Sequence, residues 1–309
     1  MSGIDLSIII VTFNSADSVT ECIESIGEWT NDLNYEIIVV DNNSTDDTLN
    51  VLSGIQDIQI IPKINNFGFA IACNTGAATA QGRIVLFLNP DVYLEANSLK
   101  SAVDYLNKNK EVGVVGCRLL YPGGAPQQSF FKDHSLLGLI SRYTKIYNLL
   151  PRNRWTEPFF YFYPVDSTQP VEVDWVLGAN LFIRANVLKD LGGFDEGYFM
   201  YCEDTDLCLK VKERGYKVIG LPFIITHRFA GSSVKVLEKR IVYSRNSINR
   251  YMRSHFSTIQ YPLGYLVVLL NVFFKMFLCC SLSLIKFWRF KTYWLKGKGY
   301  YNALFRKRF

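Results

Sequence analysis

Short apolar runs rich in β-branched residues, separated by segments of helical periodicity, constrain this chain more than any other feature. Four runs lie near its beginning, at Leu6–Thr12, Tyr35–Val40, Ile58–Ile61 and Arg83–Leu88. The first is apolar on both faces, as a buried parallel strand is. Helical spacing follows it from Val19 to Ile26, and an alanine-rich segment ending at Ala80 precedes the fourth run. The alternation predicts βαβ units and an α/β fold with a parallel sheet.

Polar side chains cluster where successive strands end. The pairs are Thr12 with Asn14, Asp41 with Asn43, and Asn89 with Asp91. Each pair alone also fits ordinary turn chemistry. Ligands of open α/β sheets bind beyond the carboxyl ends of the strands, so the repetition predicts a nucleotide-sized site. The sequence contains neither Gly-x-Gly-x-x-Gly nor a P-loop, which excludes those two nucleotide-binding classes.

The next part of the chain is less regular. It is predicted to contain a helix at Ser98–Asn107, a strand at Val112–Val115, a hairpin at Tyr121–Gly124, and strands at Val171–Val176 and Tyr216–Leu221. Residues 125–170, rich in aromatics and interrupted by prolines, are interpreted as loops and short helices forming one wall of a cleft. Gly178–Asn180 leads to an acidic element, and His227 is expected shortly after the last strand.

Three acids, Glu203, Asp204 and Asp206, open a segment of amphipathic periodicity that closes at Gly215. Acids favour the first turn of a helix and glycine its C-terminal end. One interpretation is a capped surface helix. The other is a carboxylate against the apolar wall of the preceding run Tyr198–Tyr201, an environment that suits a general base.

The charge is distributed unevenly. Residues 234–309 hold fifteen Lys and Arg and one acid, whereas residues 1–233 hold eighteen bases and 27 acids. A basic tail on an acidic body suggests an anionic partner, either a membrane or nucleic acid. Seven cysteines without C-x-x-C spacing predict reduced core cysteines in a cytosolic protein. The first residues carry no basic stretch, so we expect no signal peptide.

The tail also contains a long apolar segment, Tyr261–Ile285, interrupted by Asn271 and Lys275 and flanked by basic residues. Its length suffices to cross a bilayer, but Lys275 near its middle would be costly there. With the basic residues, tryptophans and tyrosines that flank it, the segment fits a helix or helical hairpin lying in or dipping into the interface, held by anionic lipid and aromatic anchors. The alternatives are a helix buried on the domain and an oligomer interface. Nucleic acid is disfavoured because the aromatics accompany an apolar run, not polar spacers.

Six stretches, in order along residues 5–233, resemble the motifs of inverting glycosyltransferases of family 2, which have the GT-A fold. They are Ser7–Asn14, Val39–Asp46, Asn66–Ala70, Leu86–Asp91, Gly192–Asp195 and Tyr201–Leu207. The Asn-Pro-Asp and Gly-Tyr-Phe-Met-Tyr-Cys-Glu-Asp forms are similar to bacterial rhamnosyltransferase-like enzymes of O-antigen and surface-polysaccharide assembly. The resemblance implies a mixed, mainly parallel sheet flanked by helices, with a C-terminal helical membrane-associating extension.

The resemblance also implies a division of labour. Residues 1–233 would form the GT-A domain, with a nucleotide-sugar half up to about 118 and an acceptor half from about 119, and residues 234–309 a membrane-associated tail. Asp204 would be the catalytic base and Glu203 its neighbour. The donor would contact Thr12, Asn14, Asp41, Asn43, Asn66, Gly68, Asn89 and Asp91. Asp91 and His227 would hold Mg²⁺ or Mn²⁺.

Asn89 departs from the family pattern, because it stands where the usual Asp-x-Asp motif has its first acid. A neutral amide contributes less charge to a metal site, so weak metal binding or metal independence stays open. His227 is the other open assignment, since a lone histidine is more often structural than a ligand.

The implied function is transfer of a sugar from a nucleotide donor, dTDP-L-rhamnose before UDP- or GDP-sugars, to a polyprenyl-diphosphate-linked glycan at the cytoplasmic face of the inner membrane. The enzyme would be peripheral or monotopic, and its oligomeric state is open. A non-catalytic scaffold is the rival from another class, but it has no need for Asp91, Glu203 and Asp204. The Gly- and Arg-rich loop of nucleotidyltransferases and the Gln-x-x-Arg-Trp motif of processive synthases are missing from the sequence.

Overall fold

In the computed structural model, the described residues are 3–30, 32–163, 168–228, 237–285 and 290–305. Their strands are β1 (Leu6–Thr12), β2 (Tyr35–Asp41), β3 (Ile58–Pro62), β4 (Ile84–Leu88), β5 (Val92–Tyr93), β6 (Val112–Leu120), β7 (Pro126–Gln127), β8 (Phe130–Phe131), β9 (Val171–Glu172), β10 (Trp175–Val176), β11 (Asn180–Arg184) and β12 (Lys217–His227).

The helices of the same residues are α1 (Val19–Trp29), α2 (Thr48–Ser53), α3 (Phe69–Ala77), α4 (Ser98–Lys108), α5 (Leu136–Thr144), α6 (Ala185–Leu191), α7 (Glu203–Glu213), α8 (Leu237–His255), α9 (Gln260–Ile285) and α10 (Phe290–Phe305). Two 3₁₀ turns lie at Ile146–Leu149 and Glu157–Phe159.

Contacts divide the described residues into two compact units. The first holds the described parts of 1–131, 162–199 and 203–232, and the second those of 132–161, 200–202 and 233–309. The predicted division at 233/234 stays a prediction. That boundary, and the basic residues at 286–289 and 306–309, lie outside the described residues.

The first unit is built on one mixed sheet. Its main path runs β3-β2-β1-β4-β11-β6-β12-β5, and β7 and β9 pair at its side. The first four strands are mutually parallel, and β12 is parallel to β6. Strand β11 lies antiparallel between β4 and β6. The predicted mixed, mainly parallel sheet flanked by helices is therefore confirmed.

Two apolar clusters cover the two faces of this sheet. One contains the buried sides of α1, α2 and α4, and the other those of α3, α6 and α7. The β-branched run of β1 is buried at every position, which is why it showed no alternation in the sequence. The carboxyl ends of β1, β2 and β4, where the polar pairs occur, consequently lie along one edge of a fully covered sheet.

Several predicted elements differ from the structure. Val171–Val176 is not one strand, because β9 pairs with β12 while β10 pairs with β8 in a separate two-stranded sheet. The described part of residues 125–170 contains the predicted short helices, α5 among them, but also two short strands, β7 and β8. Strand β11 was not predicted. His227 does not follow the last strand but is its final residue, because β12 continues through a register shift between Leu221 and Ile224.

The second unit is helical. One face of α9 packs with α5, α8 and α10 around a small apolar cluster that includes Val242, Met252, Val268 and Val272. The described residues contain one helical stretch, Gln260–Leu282, that is long and apolar enough to cross a membrane, with a mean hydropathy of 2.1. Five of the seven cysteines are buried as predicted, whereas Cys202 is half-buried and Cys280 is exposed.

Candidate active site

Asp41, the last residue of β2, is fully buried and held by three hydrogen bonds. Thr12 Oγ1 donates to its Oδ1 over 2.8 Å, and the Ser44 amide donates to its Oδ2 over 2.9 Å. Ser44 Oγ donates to Oδ1 over 2.5 Å. These contacts join the ends of β1 and β2, so Thr12 and Asp41 meet as the polar pairs predicted.

Asn14 and Asn43 both adopt positive φ, 55° and 64°, in the loops that follow β1 and β2. The Asn14 amide N–H donates to Ser44 Oγ over 2.9 Å, and its side-chain oxygen accepts from the Thr45 N–H over 2.8 Å. Asn43 is exposed. The turn chemistry that competed with a binding role in the sequence is thus present at Asn14, and it fixes the rim around Asp41.

The loop before α3 is held by backbone contacts that only glycine permits. Gly68 has a φ of 93°, and a Cβ at this position would lie 2.4 Å from the carbonyl oxygen of Phe199. Its N–H donates to Asn66 Oδ1 over 3.0 Å, and its carbonyl accepts from Asn42 Nδ2 over 2.9 Å. Asn42 Oδ1 is buried without a hydrogen-bond partner among the described residues. The loop therefore ties the end of β2 to the segment that precedes α7.

Asp91 and His227 lie side by side at the carboxyl ends of the sheet, and both are buried. His227 Nε2 is 3.2 Å from Asp91 Oδ1 and 3.4 Å from Asn89 Nδ2. On its other side, His227 Nδ1 is 3.0 Å from Gln127 Oε1. Because an amide oxygen can only accept a hydrogen bond, the contact with Gln127 places a proton on Nδ1 of His227. The other ring nitrogen, Nε2, faces Asp91.

This arrangement fits a divalent cation. A neutral imidazole with its proton on Nδ1 would direct the Nε2 lone pair at a carboxylate oxygen, which requires a proton or a cation between them. The nitrogen and oxygen donors, Nε2 of His227 and Oδ1 of Asp91, suit a metal that also takes oxygen ligands from a substrate. Among the described residues no group of three or more His, Cys, Asp or Glu side chains gathers around one point. The protein would thus supply two strong ligands to the metal, Asp91 and His227, while Asn89 would add no negative charge.

The acids that open α7 are buried, so the surface-helix interpretation was wrong. Asp204 Oδ2 accepts from the Gly178 N–H over 3.0 Å, and Asp204 Oδ1 accepts from the Thr205 N–H over 2.8 Å and from Thr205 Oγ1 over 3.4 Å. Glu203 Oε2 is buried and has no hydrogen-bond partner among the described residues. Asp206 instead forms an ion pair with Lys210, with 2.7 Å between Oδ2 and Nζ.

The two neighbouring carboxyl groups are therefore not equivalent. Burial, and then the charge of Asp204, raise the pKa of Glu203 well above its usual value. Burial also raises the pKa of Asp204, but hydrogen bonds from Gly178 and Thr205 oppose this rise. Donors that point at a carboxylate stabilise the ionised form. The pair consequently holds its proton on Glu203, while Asp204 is the carboxylate that ionises first.

One short segment connects the acid pair to the Asn89 loop. Gly178 donates its N–H to Asp204, and the carbonyl of the next residue, Ala179, accepts from the Asn89 N–H over 3.0 Å. These residues lead directly into β11, which lies beside β4. The unpredicted antiparallel strand is thus what brings the predicted base and the predicted metal-binding loop into one site.

A family model described as glycosyl transferase family 2 matches residues 7–178, which is more than half of the chain. The chain belongs to glycosyl transferase family 2. The matched range runs from the second residue of β1 to Gly178, and so includes every residue predicted to contact the donor.

Curated relatives of this family 2 chain include transferases of lipid-linked glycans. An N-acetylglucosaminyl-diphospho-decaprenol L-rhamnosyltransferase of Mycobacterium tuberculosis is 26% identical over 239 residues, which are 70% of this chain and 73% of the relative. The rhamnosyltransferase WbbL of Escherichia coli is 26% identical over 226 residues, 70% of this chain and 80% of the relative. The resemblance to rhamnosyltransferases drawn from the motifs is therefore confirmed.

Solved structures show the same GT-A fold. A mannosyltransferase from Pyrobaculum calidifontis, in complex with GDP-mannose and Mn²⁺, aligns over 98% of this chain and 86% of its own, with a TM-score of 0.56 and 18% identity. GalNAc-T7 with UDP, GalNAc and Mn²⁺ aligns over 98% of this chain and 57% of its own, with a TM-score of 0.61 and 15% identity. At these identities the likeness establishes the fold alone.

Sequence reasoning missed two residues of this family 2 site and one unusual residue of the sheet. Gln127 orients His227, Gly178 donates to Asp204, and Arg118 on β6 has a buried Nε without a hydrogen-bond partner among the described residues. Arg118 had a local signal, since it is a cation within an otherwise apolar strand. Gln127 and Gly178 had none, because each acts through a residue far along the chain.

Proposed function

We propose that the protein is an inverting glycosyltransferase that moves L-rhamnose from dTDP-L-rhamnose to a polyprenyl-diphosphate-linked glycan. The observation that carries the reaction type is the buried Asp204 carboxylate, held by three hydrogen bonds beside a protonated Glu203. The donor and acceptor classes rest on the two rhamnosyltransferase relatives, one of which is named for a lipid-linked N-acetylglucosaminyl diphosphate.

The proposed chemistry is a single displacement. An acceptor hydroxyl oxygen forms a bond to the anomeric carbon of the donor sugar, while the bond from that carbon to the nucleotide diphosphate breaks on the opposite face. The hydroxyl proton passes to Asp204, and the diphosphate leaves with the bonding electrons. Glu203, already protonated, is a poor second base. Its proposed role is to limit the acid pair to a single negative charge, located on Asp204, so that Asp204 is the group that accepts the proton.

The donor site is proposed at the carboxyl edge of β1, β2 and β4. Asp41 is proposed to contact the nucleotide base, with Thr12, Asn14 and Asn43 around it and the Asn66–Gly68 loop along its side. Asn89 and Asp91 would face the diphosphate. Asp91 and His227 would hold Mg²⁺ or Mn²⁺, which supplies positive charge to the leaving diphosphate when bound.

The helical unit is proposed to attach the enzyme to the cytoplasmic face of the membrane. An acceptor with a polyprenyl tail cannot leave the bilayer, so a membrane-bound enzyme meets it in two dimensions. The apolar Gln260–Leu282 stretch supports attachment by its length and hydropathy.

The test is transfer to a synthetic lipid-diphosphate-GlcNAc acceptor from dTDP-rhamnose, UDP-sugars or GDP-mannose, with Mg²⁺ or with EDTA. We expect transfer from dTDP-rhamnose that disappears in Asp204→Asn. Asp190→Asn, at an exposed acid of α6, is the matched control and should be fully active. Transfer from another donor would replace the rhamnose assignment, and undiminished activity of Asp204→Asn would refute the base. Nucleotide binding without any transfer would favour the scaffold.

A further inference from the structure

Helix α9 exposes a long apolar stripe. Seven large side chains on it are between 43% and 66% exposed: Leu263, Leu266, Leu270, Phe273, Phe274, Phe277 and Leu278. Their spacing of three and four residues places them on one side of the helix, over about 22 Å of its length. The opposite side packs against other helices of the same unit. A contiguous exposed surface of this size marks an interaction site.

Three cations border this stripe on the side of α5. Asn271 Nδ2 donates to the carbonyl of Tyr143 over 3.2 Å, and Lys275 Nζ lies 5.8 Å from the centre of the Tyr143 ring. Tyr143 is thereby fastened to the flank of α9, and it stands between Arg142 and Lys145 in the sequence. Lys275 is one turn from Leu278 of the stripe, since residues three apart are neighbours on a helix.

Arg142 and Lys145 each lie close enough to Lys275 for their charges to act on it. Burial, followed by the charges of Lys145 and Arg142, lowers the pKa of Lys275. Among the described residues none of the three forms an ion pair, although other surface lysines and arginines of the chain do. Cations gathered without a carboxylate are unfavourable unless an anion joins them. The anion must also suit a position beside exposed apolar side chains.

We propose that Arg142, Lys145 and Lys275 bind the phosphate group of anionic phospholipids, with the apolar stripe among the acyl chains of the same leaflet. This deepens the membrane attachment proposed above and does not depend on the donor or the acceptor. The stripe is a convex helix surface, which fits the face of a bilayer; a single bound lipid chain would need a groove.

The same features orient the helix. Lipid can reach only one side of α9, because α5, α8 and α10 cover the other. A membrane-spanning α9 would carry these partners into the bilayer, including α8, whose sequence holds five Lys and Arg, and charged groups are costly there. Helix α9 therefore lies parallel to the membrane surface, with the three cations at the level of the head groups.

The experiment is flotation of the full-length protein with vesicles of phosphatidylcholine, with or without about 30% phosphatidylglycerol. We expect the triple variant Arg142→Gln, Lys145→Gln, Lys275→Gln to lose roughly a hundredfold in affinity for the anionic vesicles, from three basic side chains near the surface. The control variant Lys108→Gln, Lys110→Gln, Arg214→Gln removes the same charge from exposed positions of the first unit, and should bind like the wild type.

Two further arms complete the test. Phe273→Ser with Phe277→Ser should weaken binding to neutral and anionic vesicles alike. Spin labels at Leu266 and Phe277 should report equal depth, whereas a spanning helix would separate them by about 16 Å. Unequal depths, a triple variant that binds like its control, or binding that requires a polyprenyl diphosphate in the vesicles would each overturn the proposal. Donor binding and circular dichroism of each variant separate these outcomes from misfolding and from failure of the transferase function.

Discussion

Replacing Glu203 with Gln tests the protonation assigned to the acid pair, through stability and not through activity. The wild-type folded state keeps a proton on Glu203 that the unfolded chain releases above its ordinary pKa of 4.5. The folded state therefore binds more protons, and wild-type stability falls as pH rises through this range. Gln places no ionisable group at this buried position, so the stability of Glu203→Gln should not fall with pH for this reason.

The magnitude follows from proton linkage. As long as the pH remains below the raised folded pKa, the advantage of Glu203→Gln grows by about 1 kcal/mol between pH 4.5 and 5.5, and by about 1.3 kcal/mol over the next unit. Each kcal/mol corresponds to roughly 2 °C in the unfolding midpoint, the low end of the range for proteins of about 150–250 residues. The full effect is expected because Glu203 Oε2 has no donor among the described residues to stabilise its charge.

The assay is urea unfolding of wild type and variant, followed by circular dichroism from pH 4.5 to 6.5. Glu213→Gln is the matched control, since it makes the same change at an exposed position of the same helix, and its stability difference should not vary with pH. Glu203→Gln should also retain transfer activity within about tenfold, because a neutral amide replaces a neutral acid. A stability difference for Glu203→Gln that stays constant with pH would refute the protonated Glu203.

Three other changes probe the site. Gln127→Leu removes the acceptor that orients His227 and should raise the Mn²⁺ concentration needed for half-maximal activity by about 10- to 100-fold. Gln127→Glu keeps an acceptor and should keep the Mn²⁺ dependence of the wild type. Equal metal dependence in the two variants would contradict the metal role. Arg118→Met should raise thermal stability by about 1–2 kcal/mol and lower transfer more than tenfold, and a variant that is destabilised yet fully active would show that Arg118 is structural. In Gly68→Ala the added Cβ would clash with the Phe199 carbonyl, and the positive φ disfavours alanine. The variant should therefore bind nucleotide more weakly, as measured by calorimetry; unchanged affinity would mean that the loop does not line the donor site.

The elements that sequence reasoning found are those whose pattern is local. Strands β1, β2 and β4 are continuous apolar runs, and the acids of α7 stand at the first turn of a periodic segment. Strand β12 runs beyond Leu221, where the sequence prediction ended it, although Pro222 follows and proline is disfavoured inside a sheet. The structure instead absorbs it in an irregularity between Leu221 and Ile224, which carries the strand on to His227.

What remained hidden depends on contacts between distant parts of the chain. Gln127 and His227 are a hundred residues apart, and nothing near either predicts their hydrogen bond. The same holds for Gly178 and Asp204. The acids were recognised from their type and position. That Glu203 is the protonated acid and Asp204 the ionised one follows only from the structure, in which Asp204 receives hydrogen bonds and Glu203 Oε2 does not.

The antiparallel strand β11 has a consequence for how the chain reaches this fold. Leu88 of β4 pairs with Asn180, and Gly116 of β6 pairs with Leu181, so two central strands must wait for a segment synthesised much later. Contacts of such long range slow folding. Until β11 arrives, β4 and β6 are open apolar edges of the kind that aggregate. The predicted nucleotide-sugar half ending near residue 118 is therefore not a unit that could fold alone, and a nascent chain stopped there would expose both edges to aggregation.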